Sequence, residues 1–235
     1  MLHADLHHHS KEDPCHGHHG KLAQYSARQL VDRAKQLKLD VISLTLHGKV
    51  HFPLDLVQYA KAKGITMIPG VELWPAGPHV LVYGITDEER KKIKTLDDLE
   101  EIKNNAVICA AHPFYPFGTS IGAGINDYEK MFHAVEYNHF RTWFYNIPNE
   151  KAKRWALLHK KTLIGNSDTH DLAEMGYTWT ELEAQPTKEG ILEALRKPKR
   201  AKVVSKPMPA FFVAKLVLKH VTHPHCRGSG WPRNL

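Results

Sequence analysis

The sequence predicts an α/β fold, in which short strands alternate with helices within one barrel-like domain. Apolar runs alternate with amphipathic stretches along almost the whole chain, and this alternation is typical of βα units around a parallel sheet. No linker rich in Gly, Ser or Pro interrupts the alternation before about residue 205. The chain has 235 residues and 42% hydrophobic content, which is enough to bury one large core.

Seven apolar runs are predicted as strands, in the order ADL, DVISLTLH, ITMIPGVEL, HVLVYGI, AVICAAHP, AVEYN and TLIGNSD. The intervening segments SARQLVDRAKQLK, LDLVQYAKAK, TLDDLEEIKNN, EKAKRWALLHKK and TKEGILEALRK are predicted as helices. Ser26 can cap the first helix, because its hydroxyl can accept a hydrogen bond from a free N–H of the first turn. Gly64 is expected to end the second helix. We therefore expect one domain over residues 1–205.

Residues 206–235 are expected to form a C-terminal helix and a tail. The stretch AFFVAKLVLKHV is amphipathic, which predicts a closing helix that packs on the rest of the chain. The sequence HPHC that follows has ligand-type residues but no matching partner set. We therefore interpret the last residues as a disordered tail.

The composition of the chain indicates its cellular compartment and the charge of its binding partners. There is no apolar run of roughly 18 residues, so no membrane span is predicted. The N-terminus lacks the layout of a signal peptide, and Cys15, Cys109 and Cys226 are too few and too scattered for a disulfide framework. These features indicate a reducing, cytoplasmic setting. The formal charge of +7 favours anionic partners such as a phosphorylated substrate or nucleic acid, although Lys/Arg runs are also typical of solvated helix faces.

The N-terminal segment DLHHHSKEDPCHGHH carries nine histidines or acids. Taken alone, it is either a solvated polar loop or half of a metal site. Alternate side chains of a strand share a face, so His7 and His9 would point together at the end of the first strand, with His8 on the other face. Two imidazoles in this arrangement can bind one metal ion.

Metal-binding residue types recur where the predicted strands end. In a barrel of parallel strands the active site lies at the carboxyl ends of the strands, so residues that carry chemistry should follow the apolar runs. His79 is the exception, because it begins its strand. His47 could instead be a core histidine, and His112 could merely end its strand. The candidates that follow a strand are His7, His9, His47, Glu72, His112, Asp168 and His170.

These candidate ligands offer nitrogen and carboxylate oxygen without thiolates, which suits Zn²⁺, Mn²⁺ or Fe²⁺ in a hydrolytic site. They are too many for one ion, so two or three divalent transition-metal ions are expected. Glu72 is a natural bridge, because a carboxylate can offer one oxygen to each of two ions. One further acid or histidine from the loop DPCHGHH would complete the set.

The motifs DLHHHS, LTLH, GVE, HVLVYG, AHP and GNSDTH stand in the order and approximate spacing of the PHP superfamily, which is named for its polymerase and histidinol phosphatase members. The chain resembles this family over roughly residues 3 to 205. The resemblance implies a distorted seven-stranded (β/α)7 barrel of PHP type. It also implies a trinuclear metal centre at the carboxyl ends of the strands.

Carried over to this sequence, the resemblance implies three ligand groups. They are His7, His9, Glu72 and Asp168 for the first ion; Glu72, His79 and His112 for the second; and His47 and His170 with either Asp13 or His16 for the third. The additional His18 and His19 leave the choice between Asp13 and His16 open. Leu46 is a second departure, because many members have Asp at this position. His47 is therefore expected to lack an orienting partner.

The expected function is hydrolysis of a phosphate ester by a metal-bridging hydroxide, with Glu72 and Asp168 as the candidate catalytic residues. Such a centre needs no serine or cysteine nucleophile, and Cys109 lies within an apolar run where burial is expected. Three basic residues are candidates for holding a phosphate, although each could also have an ordinary surface role: Lys11, Lys49 and Arg141.

Two alternatives remain open. The first is a nuclease of the 3′–5′ exonuclease type, because the motifs also resemble PHP domains attached to bacterial polymerases, and the aromatic side chains of HFRTWFY could stack on bases. The chain has no polymerase body, which argues against this reading. The second is a non-catalytic, metal-binding PHP scaffold, against which the nearly complete ligand set argues.

Overall fold

The fold is that of a computed structural model. The structure describes residues 1–14, 23–75, 77–116, 118–214 and 218. Its strands are β1 (Leu2–His8), β2 (Val41–Leu44), β3 (Thr66–Met67), β4 (Gly70–Leu73), β5 (Val80–Tyr83), β6 (Val107–Ala110), β7 (Ala134–Asn138), β8 (Thr162–Asn166), β9 (Thr178–Leu182) and β10 (Ala201–Ser205). Its helices are α1 (Ala27–Gln36), α2 (Leu54–Ala62), α3 (Asp87–Lys92), α4 (Ile147–Leu158) and α5 (Lys188–Leu195).

The strands form two five-stranded sheets, with the orders β10-β9-β1-β2-β3 and β4-β5-β6-β7-β8. In the first sheet β1, β2 and β3 are parallel, whereas β9 lies antiparallel to both β1 and β10. In the second sheet β6, β7 and β8 are parallel, whereas β5 lies antiparallel to both β4 and β6. Each sheet therefore combines a parallel part with an antiparallel part.

The two sheets approach each other through single bridges, between His8 and Thr169 and between His47 and Glu72. The sheets are not closed, so the predicted (β/α)7 barrel is not shown. One reason is the connection between β4 and β5, which runs only from Leu73 to Val80. A parallel crossover needs roughly a dozen residues or more, so this short connection makes the two strands antiparallel.

Several predicted elements differ in extent. The predicted strand ITMIPGVEL is two strands, β3 and β4, on either side of Ile68 and Pro69, and the chain passes from one sheet to the other at this point. The predicted helix TLDDLEEIKNN is a 3-10 turn over Asp97–Glu101. The predicted cap is confirmed, because the hydroxyl of Ser26 accepts a hydrogen bond from the N–H of Gln29 at 3.3 Å.

The apolar core continues beneath both sheets and supports the strand ends. The first sheet packs through Leu30, Ile42 and Leu44, and the second through Val82, Ile108 and Val135, all of them buried. Because the strands are fixed by this packing, the polar residues that follow them are held in place. Among the described residues, no helix is both long and apolar enough to cross a membrane.

The described part of the C-terminal region packs on the domain. Met208 is buried with Tyr115 and Phe140, and Phe212 and Val213 pack against the same group. Residues 210–214 are helical, at the start of the predicted closing helix. The division into 1–205 and 206–235 stays a prediction, and the HPHC sequence lies outside the described residues.

Candidate metal centre

Four side chains converge on one point between the two sheets. His7 and His9 lie at the carboxyl end of β1, Glu72 lies in β4, and Asp168 follows β8. The Nε2 atoms of His7 and His9 are 3.3 Å apart. Glu72 Oε2 lies 3.3 Å from the first nitrogen and 3.1 Å from the second. Asp168 Oδ1 lies 3.3 and 3.5 Å from the same two atoms. We call these four residues the four-ligand pocket.

Five separations among these donor atoms match the edges of a tetrahedral metal site. Four donors at about 2.0–2.1 Å from a zinc ion, at the corners of a tetrahedron, lie about 3.3–3.4 Å from one another. The five separations given above run from 3.1 to 3.5 Å. His7, His9 and Glu72 bring their donor atoms within 4.8 Å of one another, as do His9, Asp168 and His170, which is close enough to hold an ion such as Zn²⁺.

The protonation of the two imidazoles points to the same conclusion. His7 Nδ1 faces the carboxylate of Glu136 at 2.8 Å, and His9 Nδ1 faces Asp13 Oδ2 at 2.8 Å. A carboxylate only accepts, so each neutral imidazole carries its proton on Nδ1 and presents a lone pair at Nε2. Two nitrogen lone pairs and two carboxylates then face the same point. A cation at that point satisfies all four.

The two oxygens of Glu72 face different groups. Oε2 faces the four-ligand pocket, whereas Oε1 lies 2.5 Å from His79 Nδ1 and 3.5 Å from His112 Nε2. The Glu72 carboxylate is itself 1% exposed, so neither oxygen is satisfied by bulk water. This arrangement fits the predicted bridging role, with one oxygen directed to each of two cations.

A further group adjoins the pocket, and we call Asp13, His47 and His170 the outer cluster. His47 Nε2 lies 3.2 Å from Glu72 Oε2, so the two groups are in contact. Asp13 Oδ2 lies 2.9 Å from His47 Nδ1 and accepts the backbone N–H of His47 at 3.0 Å. The expectation that Leu46 leaves His47 without an orienting partner is therefore wrong, because Asp13 takes this position. The rings of His47 and His170 are 6.5 Å apart between centroids. His16 lies outside the described residues.

Burial opposes charge on His7, Glu72 and Asp168, but their opposite charges outweigh it, whereas burial lowers the pKa of His79. Burial alone would lower the pKa of His7, yet the surrounding carboxylates, first that of Asp168, raise it well above its usual value. Burial would raise the pKa of Glu72, yet the neighbouring imidazoles, first that of His79, hold it well below its usual value. The pKa of Asp168 is also lowered, by His7 and against its burial. The site thus favours charged carboxylates with positive charge between them, which protons or a divalent cation can supply.

Two of the candidate ligands have a left-handed backbone, with φ of 30° at His112 and 46° at Asp168. Asp tolerates this region better than most residues, but such positions typically cost of order 1–3 kcal/mol. The backbone of His112 is held on both sides. Its N–H donates to Glu136 Oε2 at 2.8 Å, and its carbonyl accepts from the Ser120 hydroxyl at 2.7 Å. The surrounding hydrogen bonds therefore hold this ligand in an unfavourable conformation.

The predicted phosphate-binding residues lie in different surroundings. Lys11 is exposed and Lys49 is half-buried. Arg141 lies in the loop after β7, where its Nη1 donates to the carbonyl of Ser205 at 2.7 Å and its own carbonyl accepts from the N–H of Met208 at 2.7 Å. Arg141 thus ties this loop to the chain that leaves β10. A phosphate-binding role stays a prediction for all three.

The aromatic sequence HFRTWFY is divided between the core and the surface. Phe140 is buried, whereas Trp143 and Phe144 are each 82% exposed. These two exposed rings form the tip of a turn, because the N–H of Thr142 donates to the carbonyl of Tyr145 at 3.0 Å and the N–H of Tyr145 donates to Thr142 Oγ1 at 3.0 Å. The turn follows β7, at the end of the sheet where the candidate ligands lie.

Sequence reasoning missed the supporting polar residues Glu136, Asn138 and Asn166. All three are buried and lie in β7 or β8. A signal was present in AVEYN, because an acid within an apolar strand is buried only with polar or charged partners. The partner of Glu136 is His7, which is 129 positions away in the sequence.

Comparisons with known proteins agree with this fold. A family model described as PHP-associated, PHP_C, matches residues 146–199, the segment that carries Asp168 and His170. The structure of PsfC from Pseudomonas syringae PB-5123 is similar with a TM-score of 0.66 at 15% identity, over 94% of this chain and 97% of that chain. A search of the curated proteins gave no match.

Two further structures are similar over most of their length. One is a protein from Bifidobacterium adolescentis ATCC 15703 described as a metal-dependent phosphoesterase, with a TM-score of 0.54 at 12% identity, over 72% of this chain and 87% of that chain. The other is an amidohydrolase from Chromobacterium violaceum with bound sulfate and no metal, with a TM-score of 0.54 at 16% identity, over 71% of this chain and 87% of that chain. Together with the matched segment, these similarities support the PHP-superfamily fold that the motifs predict.

Proposed function

We propose that this protein is a metal-dependent hydrolase that cleaves a phosphate ester of a small substrate. The observation that carries the proposal is the four-ligand pocket, in which two imidazole lone pairs and two carboxylates face one point. The second observation is Glu72, whose two oxygens face different histidine groups. The structural neighbour described as a metal-dependent phosphoesterase supports the choice of a phosphate ester.

The residues fit a centre of two or three divalent ions, of Mn, Fe or Zn. The four-ligand pocket would hold one ion, and Glu72 with His79 and His112 would hold a second. The outer cluster would hold a third. Divalent ions bound there would supply a water that ionises near neutral pH and positive charge for the phosphoryl oxygens.

The chain's own residues keep the centre ready for this chemistry. Glu136 and Asp13 hold the Nδ1 protons of His7 and His9, so that both Nε2 atoms remain free to bind. Cys109, the one cysteine among the described residues, is buried in β6, where burial raises the pKa of its thiol well above the usual value. It is therefore not suited to act as a nucleophile. Lys11 and Lys49 are the candidates for holding the phosphate at the rim.

The test is a panel of small phosphomonoesters, including histidinol phosphate and nucleotides, assayed with protein loaded separately with Mn²⁺, Fe²⁺ or Zn²⁺. The matched control is Glu72→Gln, which keeps the size of the side chain. We expect metal-dependent turnover of at least one phosphomonoester and its loss in the control. Fully metal-loaded protein without activity on any phosphate ester would overturn the proposal.

A nuclease of the 3′–5′ exonuclease type is the second candidate, and the turn that exposes Trp143 and Phe144 favours it. Bases of any identity can stack on such rings, at about 1–3 kcal/mol per base. A single-stranded oligonucleotide with a free 3′ end belongs in the same panel. If it is the preferred substrate, the double change Trp143→Ala/Phe144→Ala should raise its KM while leaving turnover of a small phosphomonoester unchanged.

A further inference from the structure

Glu136 is a fully buried carboxylate that lies beneath the four-ligand pocket without facing the point where the four donors meet. It is 0% exposed and lies in the middle of β7. Each of its oxygens accepts from two different groups. The donors are His7 Nδ1 and Asn166 Nδ2 on Oε1, and the His112 N–H and Asn138 Nδ2 on Oε2.

The contact on Oε1 determines which ring nitrogen of His7 carries the proton. His7 Nδ1 lies 2.8 Å from this oxygen, and Asn166 Nδ2 donates to the same oxygen at 2.9 Å. Asn166 is itself held, because its Oδ1 accepts the N–H of Leu6 at 3.0 Å. A carboxylate held in this position keeps the proton on Nδ1, and the Nε2 lone pair then faces the pocket.

The contact on Oε2 holds the backbone of His112 in its left-handed conformation. The N–H of His112 donates to this oxygen at 2.8 Å, and His112 is the residue with φ of 30°. The amide of Asn138 lies 3.4 Å from the same oxygen and 3.4 Å from Asp168 Oδ2. One carboxylate is therefore connected to ligands on both sides of Glu72.

We propose that Glu136 is a positioning residue that sets the Nδ1–H tautomer of His7 and holds the left-handed backbone of His112, so that the two metal positions share one support. This inference rests on the metal centre of the proposed function. It assigns to Glu136 a role in metal binding at both positions, although Glu136 is itself a ligand at neither.

Glutamine is the informative replacement, because it keeps the volume but has only one acceptor oxygen. The amide nitrogen must then face either His7 Nδ1–H or the His112 N–H, and a donor facing a donor forms no hydrogen bond. Asn149→Ala is the matched control. Asn149 is also buried against β7, and it exchanges hydrogen bonds of 2.9 and 2.8 Å with the backbone of Asn138. None of the hydrogen bonds found for its side chain joins it to a candidate ligand.

The experiment measures binding of Zn²⁺ alone by chelator competition, and melting temperature with and without Zn²⁺. We expect Glu136→Gln to weaken Zn²⁺ binding about 10- to 100-fold, in the range of other residues that orient metal ligands, and to reduce the rise in melting temperature on metal binding. Asn149→Ala should lower both melting temperatures equally and leave Zn²⁺ affinity unchanged. Wild-type affinity in Glu136→Gln, or an equal loss in Asn149→Ala, would overturn the inference.

A second measurement on the unsubstituted protein covers the case in which Glu136→Gln does not fold. Nitrogen NMR of histidine-labelled, Zn²⁺-loaded protein reports which ring nitrogen of His7 carries the proton, with the signal assigned by its loss in His7→Asn. We expect protonated Nδ1 and metal-bound Nε2, and a proton on Nε2 would overturn the inference. If the unsubstituted protein binds no Zn²⁺, both the metal centre and this inference fail. If the unsubstituted protein binds Zn²⁺ and Glu136→Gln binds it equally well, the inference about Glu136 fails and the metal centre stands.

Discussion

The four-ligand pocket and the outer cluster use the same residue types, yet they differ in how their imidazoles are supported. In the pocket, His7 Nδ1 faces Glu136, and His9 Nδ1 faces Asp13, a member of the outer cluster. In the outer cluster, the single oxygen Asp13 Oδ2 serves His9, the ring of His47 and the backbone N–H of His47 together. An oxygen that is shared in this way has little capacity left for a cation.

The difference suggests an order of affinity. The pocket presents four converging donors from described residues, so it should bind its ion most tightly. An ion bound through Asp13 Oδ2 would have to compete with the hydrogen bonds that this oxygen now accepts. We therefore expect changes in the pocket to cost more activity than changes in the outer cluster.

The largest effect is expected from Glu72→Gln, which alters both sides of the bridge at once. The amide leaves one nitrogen that cannot bind a cation, so both metal positions should weaken together. Several kcal/mol of lost charge stabilisation corresponds to a fall in kcat/KM on the order of 10³-fold. The variant should remain folded, because the change removes charge and leaves the core volume intact. Near-normal turnover with full metal content would show that the bridging assignment is wrong.

Asp168→Asn should have the next largest effect, because it removes one carboxylate of the pocket, which also lies 3.7 Å from His170, but leaves the Glu72 bridge in place. Asn tolerates the left-handed backbone at this position, where φ is 46°, so the loop should keep its conformation. We expect a loss of about 10²-fold in kcat/KM, with weaker metal binding in the pocket and little change at His79 and His112. Metal titration followed by kinetics checks this prediction. An equal loss of both metal positions would contradict the separation of the two.

His47→Ala should cost less than either change, because it removes a member of the outer cluster. We expect a loss of about tenfold, in the lower part of the range for metal-site partners, and a larger change in KM than in kcat. This split follows if the outer position serves substrate positioning more than ionisation of water. Steady-state kinetics on the metal-loaded variant tests it, with Asp168→Asn as the comparison. A loss as large as that of Asp168→Asn would remove the difference between the two regions.

The smallest effect concerns pH and the metal-free protein. The pKa values of His7 and His9 are raised well above their usual 6.5. The stability that these protonated groups contribute is complete below pH 6.5 and is lost as pH rises through the folded-state pKa. Asp5 adds to the same trend up to pH 7, because burial raises its pKa to about 7. We expect metal-free protein to lose up to about 1.4 kcal/mol per histidine for each pH unit above 6.5.

Urea unfolding at several pH values above 6.5, with chelator and with bound metal, measures this trend. The metal-loaded protein should lose less stability, because a metal ion replaces the protons that are lost. Burial lowers the pKa values of His8 and His133 to about 3 and about 4, so both are neutral in the folded chain throughout this range. In the unfolded chain they still bind some protons up to roughly one pH unit above 6.5, so the slope should be measured above that pH. A gain in stability of metal-free protein with rising pH would contradict the charge arrangement of the pocket.

The candidate ligands could be chosen from the sequence because their positions depend on a local feature, the end of an apolar run. His7, His9, Glu72 and Asp168 were found in this way, and the structure brings them together. Asp13 was one of two options, and only the fold shows that its oxygen reaches both His9 and His47. Glu136 was missed, because a residue in the middle of a strand gives no sign of which distant side chain it meets.

The fold was predicted less completely than the ligands. Hydrophobic periodicity indicates a strand but not its direction, so the antiparallel β5 was assigned to a parallel barrel. The antiparallel pair of β9 and β10 was missed because TWTEL and AKVVS are short and half-polar, and β9 alternates between buried and half-buried residues. The place of β9 beside β1 depends on pairing with a segment that is far away in the sequence.

The most direct test of the central claim is to count the metal ions bound per chain and to locate them. Elemental analysis after expression with added Mn, Fe and Zn should find at least two ions per chain. Anomalous diffraction at the absorption edge of the bound metal should place one of them among His7 Nε2, His9 Nε2, Glu72 and Asp168. One ion or none per chain, or a strong peak only at the outer cluster, would contradict the account and favour a non-catalytic scaffold.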